Sequence, residues 1–136
     1  MNAQLPLSLD LRARLRLEDF VPGANDAVVA ACEALLAGRH EQLYLSGPPG
    51  SGRSHLLLGV CEAAERLGLP CAYLPMAHYR QLPVSAVEGM DDLQVLAIDD
   101  VDAVAGDAAW EGALFALYNR ARTRGTRLLF AAARGP

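Results

Sequence analysis

The chain has 136 residues, which is enough for one domain with a single hydrophobic core. Its composition, 52% hydrophobic and 21% charged, is typical of a globular protein, and its net charge of −4 argues against binding nucleic acid by electrostatic attraction alone. The apolar runs are short, and the N-terminus lacks the continuous apolar stretch of a signal peptide, so we predict a cytoplasmic protein without a membrane span.

The cysteines favour a cytoplasmic protein. Cys32, Cys61 and Cys71 are odd in number and do not have the spacing of a metal site, so we predict reduced, buried thiols. All 12 basic residues are arginine, and lysine is absent.

Helical and strand-like segments alternate along the chain. After an extended N-terminal stretch, we predict helices at 25–37, 54–67 and 107–122, strands at 42–46, 71–74, 93–98 and 127–132, and one short helix after Pro83. The strands are apolar runs rather than alternating patterns, which indicates a parallel sheet covered on both faces. The predicted fold class is therefore α/β, with Trp110 in the core.

The stretch GPPGSGRSH lies between a predicted strand and a predicted helix and differs by one residue from a phosphate-binding P-loop. Glycines in such a loop let backbone N–H groups surround phosphate oxygens, and the hydroxyl of Ser54 is placed to bind Mg²⁺. The predicted nucleotide-binding residues of this loop are Gly47, Pro48, Pro49, Gly50, Ser51, Gly52, Arg53, Ser54 and His55.

Arg53 stands where a P-loop has lysine. Arginine is longer, planar and forked, so it can pair with phosphate oxygens from a different position. Loss of one well-aimed transition-state donor typically lowers the rate by about 10²–10³. We therefore expect nucleotide binding to survive this change better than hydrolysis does.

Two acidic residues follow the strand at 93–98, in the sequence LAIDDVD. Ligands of open α/β sheets bind outside the carboxyl ends of the strands, so this pair and the P-loop are expected to face one crevice. We predict that Asp99 holds Mg²⁺ and that Asp100 orients or deprotonates an attacking water. The alternative is a pair of capping or surface aspartates.

Three stretches, GPPGSGRSHLL, LAIDDVDAVAGDAAWEGALFALYNR and RLLFAAARGP, resemble the AAA+ ATPases of the DnaA family. They are more similar to the Hda family, small DnaA relatives that inactivate DnaA, in which arginine followed by Ser-His-Leu-Leu also occurs. The resemblance implies a three-layer P-loop sandwich that is incomplete, with strands 1–4 present and strand 5 and the helical lid absent. It divides the chain into a tail, 1–16, and a partial AAA+ domain, 17–136.

Two segments near the N-terminus extend the resemblance. LEDFVPGAND is similar to the stretch that contacts adenine in the family, which implies nucleotide-binding roles for Phe20, Val21, Pro22 and Asn25. QLPLSL is similar to the motif by which the Hda family binds the replicative sliding clamp, the β subunit of DNA polymerase III. The implied clamp-binding residues are Gln4, Leu5, Leu7 and Leu9.

The resemblance implies an adaptor function. An Hda-like protein carrying ADP and docked on a DNA-loaded clamp promotes hydrolysis of the ATP bound to DnaA, so the implied ligands are ADP or ATP with Mg²⁺. The implied partners are the clamp and DnaA, with DNA only indirectly. Ala133 stands at the sensor 1 position, where alanine has no polar group to position water, and the arginine finger of the family lies further on, outside this chain.

Two other functions remain open at this stage. One is a self-hydrolysing AAA+ ATPase of the helicase-loader kind, and the other is a small P-loop kinase. The family strand order, 5-1-4-3-2, also places the strand at 42–46 at an open edge when strand 5 is missing. We therefore expect either a fragment or a short form that covers this edge by self-association.

Overall fold

The computed structural model describes residues 26–48 and 52–133. Several predicted site residues lie outside this range and remain predictions. They are Gln4, Leu5, Leu7, Leu9, Phe20, Val21, Pro22, Asn25, Pro49, Gly50 and Ser51.

The described residues form three α-helices and four strands in the predicted order. The helices are α1 (Asp26–Leu36), α2 (Arg53–Arg66) and α3 (Ala108–Arg124), and the strands are β1 (Gln42–Ser46), β2 (Cys71–Pro75), β3 (Val95–Asp99) and β4 (Arg127–Ala132). Between β2 and β3 the chain forms three short 3₁₀ segments rather than the single short helix expected there, at Met76–Gln81, Val84–Val87 and Met90–Asp92. A fourth, Val101–Val104, follows β3.

Local sequence sets both ends of α3. The carboxylate of Asp107 accepts a hydrogen bond from the backbone N–H of Trp110 at 3.2 Å, which satisfies one of the unpaired donors of the first turn. Gly125 ends the helix with φ of 80°, a left-handed conformation that glycine adopts without steric cost. Trp110 is buried, as predicted.

The four strands form a parallel sheet in the order β1-β4-β3-β2. Ser46 is in register with Ala132, and Pro75 with Asp99, so the carboxyl ends of the strands meet at one edge. Within the described residues, β1 is an outer strand with β4 on one side, which confirms its expected place at an edge.

Helices and short 3₁₀ segments cover the two faces of the sheet. One core contains residues of α1 and α2 packed on alternate residues of β3 and β4, such as Ala97 and Leu129. The other contains α3 and the 3₁₀ segments packed on the intervening residues, such as Leu96 and Leu128. This arrangement confirms the α/β three-layer sandwich. Among the helices of the described residues, none has the length and hydrophobicity needed to span a membrane.

Candidate nucleotide-binding site

The two described ends of the glycine-rich loop connect β1 to α2. The N–H of Gly47 donates to the carbonyl of Ala132 at 3.1 Å, which ties the start of the loop to the carboxyl end of β4. Gly52 has φ of 89° immediately before α2 begins. A side chain at Gly52 would be strained in this conformation, so glycine is required there by the backbone rather than by crowding.

Arg53, the first residue of α2, contacts both sides of the site. Its Nη2 lies 2.7 Å from Oδ1 of Asp100, and its Nη1 donates to the carbonyl of Gly47. The Arg53 side chain is 11% exposed and that of Asp100 is 26% exposed, so the ion pair is partly shielded from water. Two nitrogens of one guanidinium, each bonded to a separate partner, therefore hold the start of the loop and the end of β3 together.

Asp100 adopts an uncommon backbone conformation. Among the described residues it is the one non-glycine residue with positive φ, 50°. Aspartate tolerates this left-handed region better than most residues, and such outliers cluster at functional sites. Burial, followed by the negative charge of Asp99, raises the pKa of Asp100, while the charge of Arg53 opposes these effects.

Asp99 is held on both of its carboxylate oxygens. It is fully buried, Oδ1 accepts the backbone N–H of Asp100 at 2.9 Å, and Oδ2 accepts the hydroxyl of Tyr73 at 2.6 Å. These bonds fix the direction of the carboxylate and compensate part of the cost of burying its charge.

Tyr73 connects the acidic pair to the start of α2. Burial and the hydrogen bond to Asp99 raise the pKa of Tyr73 to about 12, against a smaller opposing hydrogen bond from the Ser54 side chain. The hydroxyl of Ser54 and the carboxylate of Asp99, the two predicted Mg²⁺ ligands, therefore both lie next to one phenol.

Sequence reasoning missed Tyr73. The residue lies in the middle of the apolar strand β2, where an aromatic residue is ordinary, and no motif marks it. Its role depends on the pairing of β2 with β3, which places Tyr73 opposite Ala97, two residues before Asp99.

Solved structures with the same fold were found. A replication initiator DnaA bound to AMPPCP and single-stranded DNA matches with a TM-score of 0.74 and 21% identity, over 87% of this chain and 41% of that one. AMPPCP-bound DnaA from Aquifex aeolicus matches at 0.72 and 22%, over 87% and 41% of the two chains. Domain III of DnaA from Thermotoga maritima matches at 0.69 and 21%, over 87% and 55%.

The chain shares its fold with these DnaA structures. It spans about half or less of the length of these DnaA chains, so the likeness covers part of each. No protein-family model matches the chain.

Within this DnaA-like fold, the remaining predicted site residues have different surroundings. Ser54 and His55 are both exposed in the first turn of α2, so His55 is not packed in the core. The N–H of Ala133 donates to Oδ2 of Asp102 at 3.4 Å, which links the end of β4 to the 3₁₀ segment after β3. Ala133 itself carries no polar side chain.

The two Mg²⁺ ligands predicted from the sequence, Ser54 and Asp99, both carry side-chain oxygen atoms. Among residues 26–48 and 52–133, no group of three or more His, Cys, Asp or Glu side chains is arranged to hold a metal ion. Mg²⁺ in nucleotide sites usually takes one or two protein oxygens and completes its shell with phosphate and water. Ser54 and Asp99 supply hard oxygen donors of this kind.

Proposed function

We propose that this chain binds ADP or ATP at the loop between β1 and α2 and hydrolyses it slowly or not at all. The observation that carries the proposal is the pair of contacts of Arg53 with Asp100 and with the carbonyl of Gly47. The guanidinium is bonded to the acid that is predicted to orient the attacking water, so it must leave Asp100 before it can bind phosphate.

Phosphate binding at this site requires an exchange of partners by Arg53. A nucleotide phosphate offers the guanidinium several anionic oxygens in place of one carboxylate oxygen and one carbonyl, and the N-terminus of α2 favours the same negative charge. The predicted loop residues, Gly47 to His55, would surround the phosphates, and Phe20, Val21, Pro22 and Asn25 would contact the base.

Mg²⁺ would be held by Ser54 and Asp99 and would neutralise phosphate charge. Tyr73 supports this role, because its hydroxyl fixes the Asp99 carboxylate from the side of β2. Asp100 is the predicted catalytic residue. With arginine in place of the P-loop lysine and alanine at position 133, the site offers few groups to activate water, which supports nucleotide retention over turnover.

We further propose that the chain is an adaptor of the Hda type. Two features of the sequence support this: the Arg-Ser-His-Leu-Leu run at the start of α2, and the QLPLSL segment. The adaptor binds the sliding clamp through Gln4, Leu5, Leu7 and Leu9 and acts on ATP-bound DnaA to lower replication initiation. The DnaA-like AAA+ fold is compatible with packing beside DnaA.

The test combines nucleotide binding with phosphate release. ADP and ATP are titrated into the purified chain by calorimetry with and without Mg²⁺, and phosphate release is followed for the chain alone. We expect binding of both nucleotides with very slow release. Rapid ATP turnover by the chain alone would instead support a self-hydrolysing ATPase, and transfer of the γ-phosphate to a small acceptor would support a kinase.

A second arm tests the adaptor. The chain is mixed with clamp on DNA and with ATP-bound DnaA, and clamp binding and phosphate release are both measured. We expect the chain to bind the clamp, and absence of clamp binding would contradict the adaptor assignment.

A further inference from the structure

Two cysteines that are distant in sequence lie in direct contact. Cys61 is in the third turn of α2, and Cys71 is the first residue of β2. Their Sγ atoms are 2.9 Å apart, with the thiol of Cys71 donating to the sulfur of Cys61. No sequence motif marks this pair, because the spacing of ten residues matches no redox or metal motif.

The surroundings of the pair distinguish it from the third cysteine. Cys71 is half-buried and Cys61 is 8% exposed, so a small solute can reach the pair from the surface. Cys32, in α1, is fully buried, and burial raises its pKa to about 12. The chain therefore contains a natural control thiol for any reaction at the pair.

The contact also makes the two thiols chemically unequal. The hydrogen bond from Cys71 lowers the pKa of Cys61, against the opposing effects of burial and of the negative charge of Glu65. The same hydrogen bond, followed by burial, raises the pKa of Cys71. Cys61 is consequently the more readily deprotonated of the two thiols, and Cys71 is its hydrogen-bond donor.

We propose that Cys61 and Cys71 form a reactive dithiol, which hydrogen peroxide converts into an intramolecular disulfide between α2 and β2. The sulfurs must approach from 2.9 Å to the S–S bond length of about 2.05 Å, a small displacement for two adjacent side chains. This inference is independent of the proposed nucleotide binding.

The reaction proceeds in two balanced steps. The Cys61 thiolate attacks one oxygen of hydrogen peroxide, the O–O bond breaks, and the leaving hydroxide takes a proton to become water, which leaves sulfenic acid on Cys61. The sulfur of Cys71 then loses its proton and attacks the Cys61 sulfur, and the S–O bond breaks with release of a second water. Two thiols lose two electrons in total, and one peroxide gains them.

The cross-link would join two elements that also meet at the candidate site. Cys71 and Tyr73 are two residues apart on β2 and so lie on the same face of the strand, towards α2. Closing the short loop between Cys61 and Cys71 constrains the unfolded chain, so the oxidised protein should unfold at a higher temperature than the reduced protein.

Peptide mapping tests the proposal directly. The full chain is treated with hydrogen peroxide, remaining thiols are alkylated, and the protein is digested with trypsin, which cleaves only after arginine here. Cys61 falls in peptide 54–66, Cys71 in 67–80 and Cys32 in 17–39. We expect 54–66 and 67–80 to appear as one cross-linked species, lighter by two hydrogen atoms than the two reduced peptides, with Cys32 fully alkylated.

Three variants complete the experiment. Cys32→Ser should keep the cross-link and the rise in unfolding temperature, while Cys61→Ser and Cys71→Ser should lose both. Cys71→Ser should instead accumulate sulfenic acid on Cys61, detected with a dimedone probe. Equal oxidation of all three cysteines, disulfide-linked dimers in place of the internal cross-link, or an alkylated Cys61–Cys71 pair after peroxide treatment would each overturn the proposal.

Discussion

Arg53 Nη2 lies 2.7 Å from Asp100 Oδ1 and joins the first residue of α2 to the residue that follows β3. The same guanidinium bonds the carbonyl of Gly47. In a P-loop protein these three positions surround the nucleotide phosphates, so Arg53 must exchange both contacts for phosphate oxygens when a nucleotide binds.

Replacing Arg53 should separate binding from turnover. Arg53→Met removes the charge and should weaken ADP affinity about tenfold or more, since a hydrogen bond to a charged group contributes about 1.5–3 kcal/mol. Arg53→Lys keeps the charge and should retain most of the affinity. Calorimetric titration with ADP and Mg²⁺ measures the ADP affinity of both variants. Equal affinity of Arg53→Met and the unmodified chain would contradict a role for Arg53 in phosphate binding.

The lysine variant also tests what limits hydrolysis. If Arg53 were the sole obstacle, Arg53→Lys would raise phosphate release by about 10²–10³. We expect a much smaller rise, because Ala133 offers no polar side chain to position water. Single-turnover phosphate release from Arg53→Lys distinguishes the large rise from the small one, and Arg53→Met is the matched control.

Tyr73 should support the fold through Asp99. Tyr73→Phe removes the 2.6 Å hydrogen bond and leaves a fully buried carboxylate oxygen with one donor fewer, so we expect a loss of about 1 kcal/mol in the free energy of unfolding. Urea denaturation at neutral pH measures it. Tyr118→Phe, in α3, is the control for loss of a tyrosine hydroxyl elsewhere in the protein, and equal effects of the two substitutions would count against a specific contact with Asp99.

The Tyr73 contact should also disappear in alkali. The pKa of this phenol is raised from 10.0 to about 12 in the folded protein, so the folded state holds the proton more tightly than the unfolded state does. The stability that Tyr73 contributes is therefore fully present below pH 10 and is lost as the pH rises through about 12. Because the chain has no lysine, no lysine ammonium group titrates in this window, and Cys32, whose pKa is also raised to about 12, is present in both proteins that are compared.

Unfolding measured at several alkaline pH values gives the readout. The difference in unfolding free energy between the unmodified chain and Tyr73→Phe should shrink as the pH increases from 10 to 12. A difference that stays constant across the window would show that the phenol titrates equally in the folded and unfolded states.

The N-terminal motif should determine clamp binding. Gln4→Ala with Leu5→Ala removes the polar lead and one apolar anchor of QLPLSL, and we expect binding to the isolated clamp to fall below detection by surface plasmon resonance. Asn2→Ala, just outside the motif, should bind like the unmodified chain. Clamp binding that survives the double substitution would mean that another surface makes the contact.

The outer edge of β1 should mediate self-association. The N–H of Leu128 donates to the carbonyl of Glu41, and the N–H of Gly47 donates to the carbonyl of Ala132. Alternate residues of β1 therefore turn their backbone groups towards β4, and the backbone N–H of Gln42 points to the opposite, outer edge. Gln42→Pro removes an N–H from that edge while sparing the bonds to β4. Sedimentation velocity at increasing protein concentration should show that the unmodified chain and Gln42→Ala associate and that Gln42→Pro associates more weakly. An unmodified chain that stays monomeric at all concentrations would refute self-association through this edge.

Much of the architecture was already contained in the local sequence. Apolar runs of strand length between helical segments determined the parallel sheet, because strands buried on both faces need no polar alternation. The glycines of GPPGSGRS and the pair Asp99-Asp100 predicted a phosphate-binding loop and an acidic strand end, since these residue types at this spacing follow from the backbone and charge requirements of phosphate binding. The segment between β2 and β3 was predicted less well, because 3₁₀ turns carry little periodic signal.

Only the tertiary structure decided how these pieces meet. The contact of Arg53 with Asp100, of Tyr73 with Asp99 and of Cys61 with Cys71 each joins residues brought together by strand pairing or by packing of α2 on the sheet. A sequence pattern records the local preference of each residue, whereas these contacts depend on the register of β2 with β3 and on where α2 lies on the sheet. The strand register and the position of α2 are set by the packing of the whole core. Arg53 therefore contacts Asp100 and the carbonyl of Gly47 only when that core has formed.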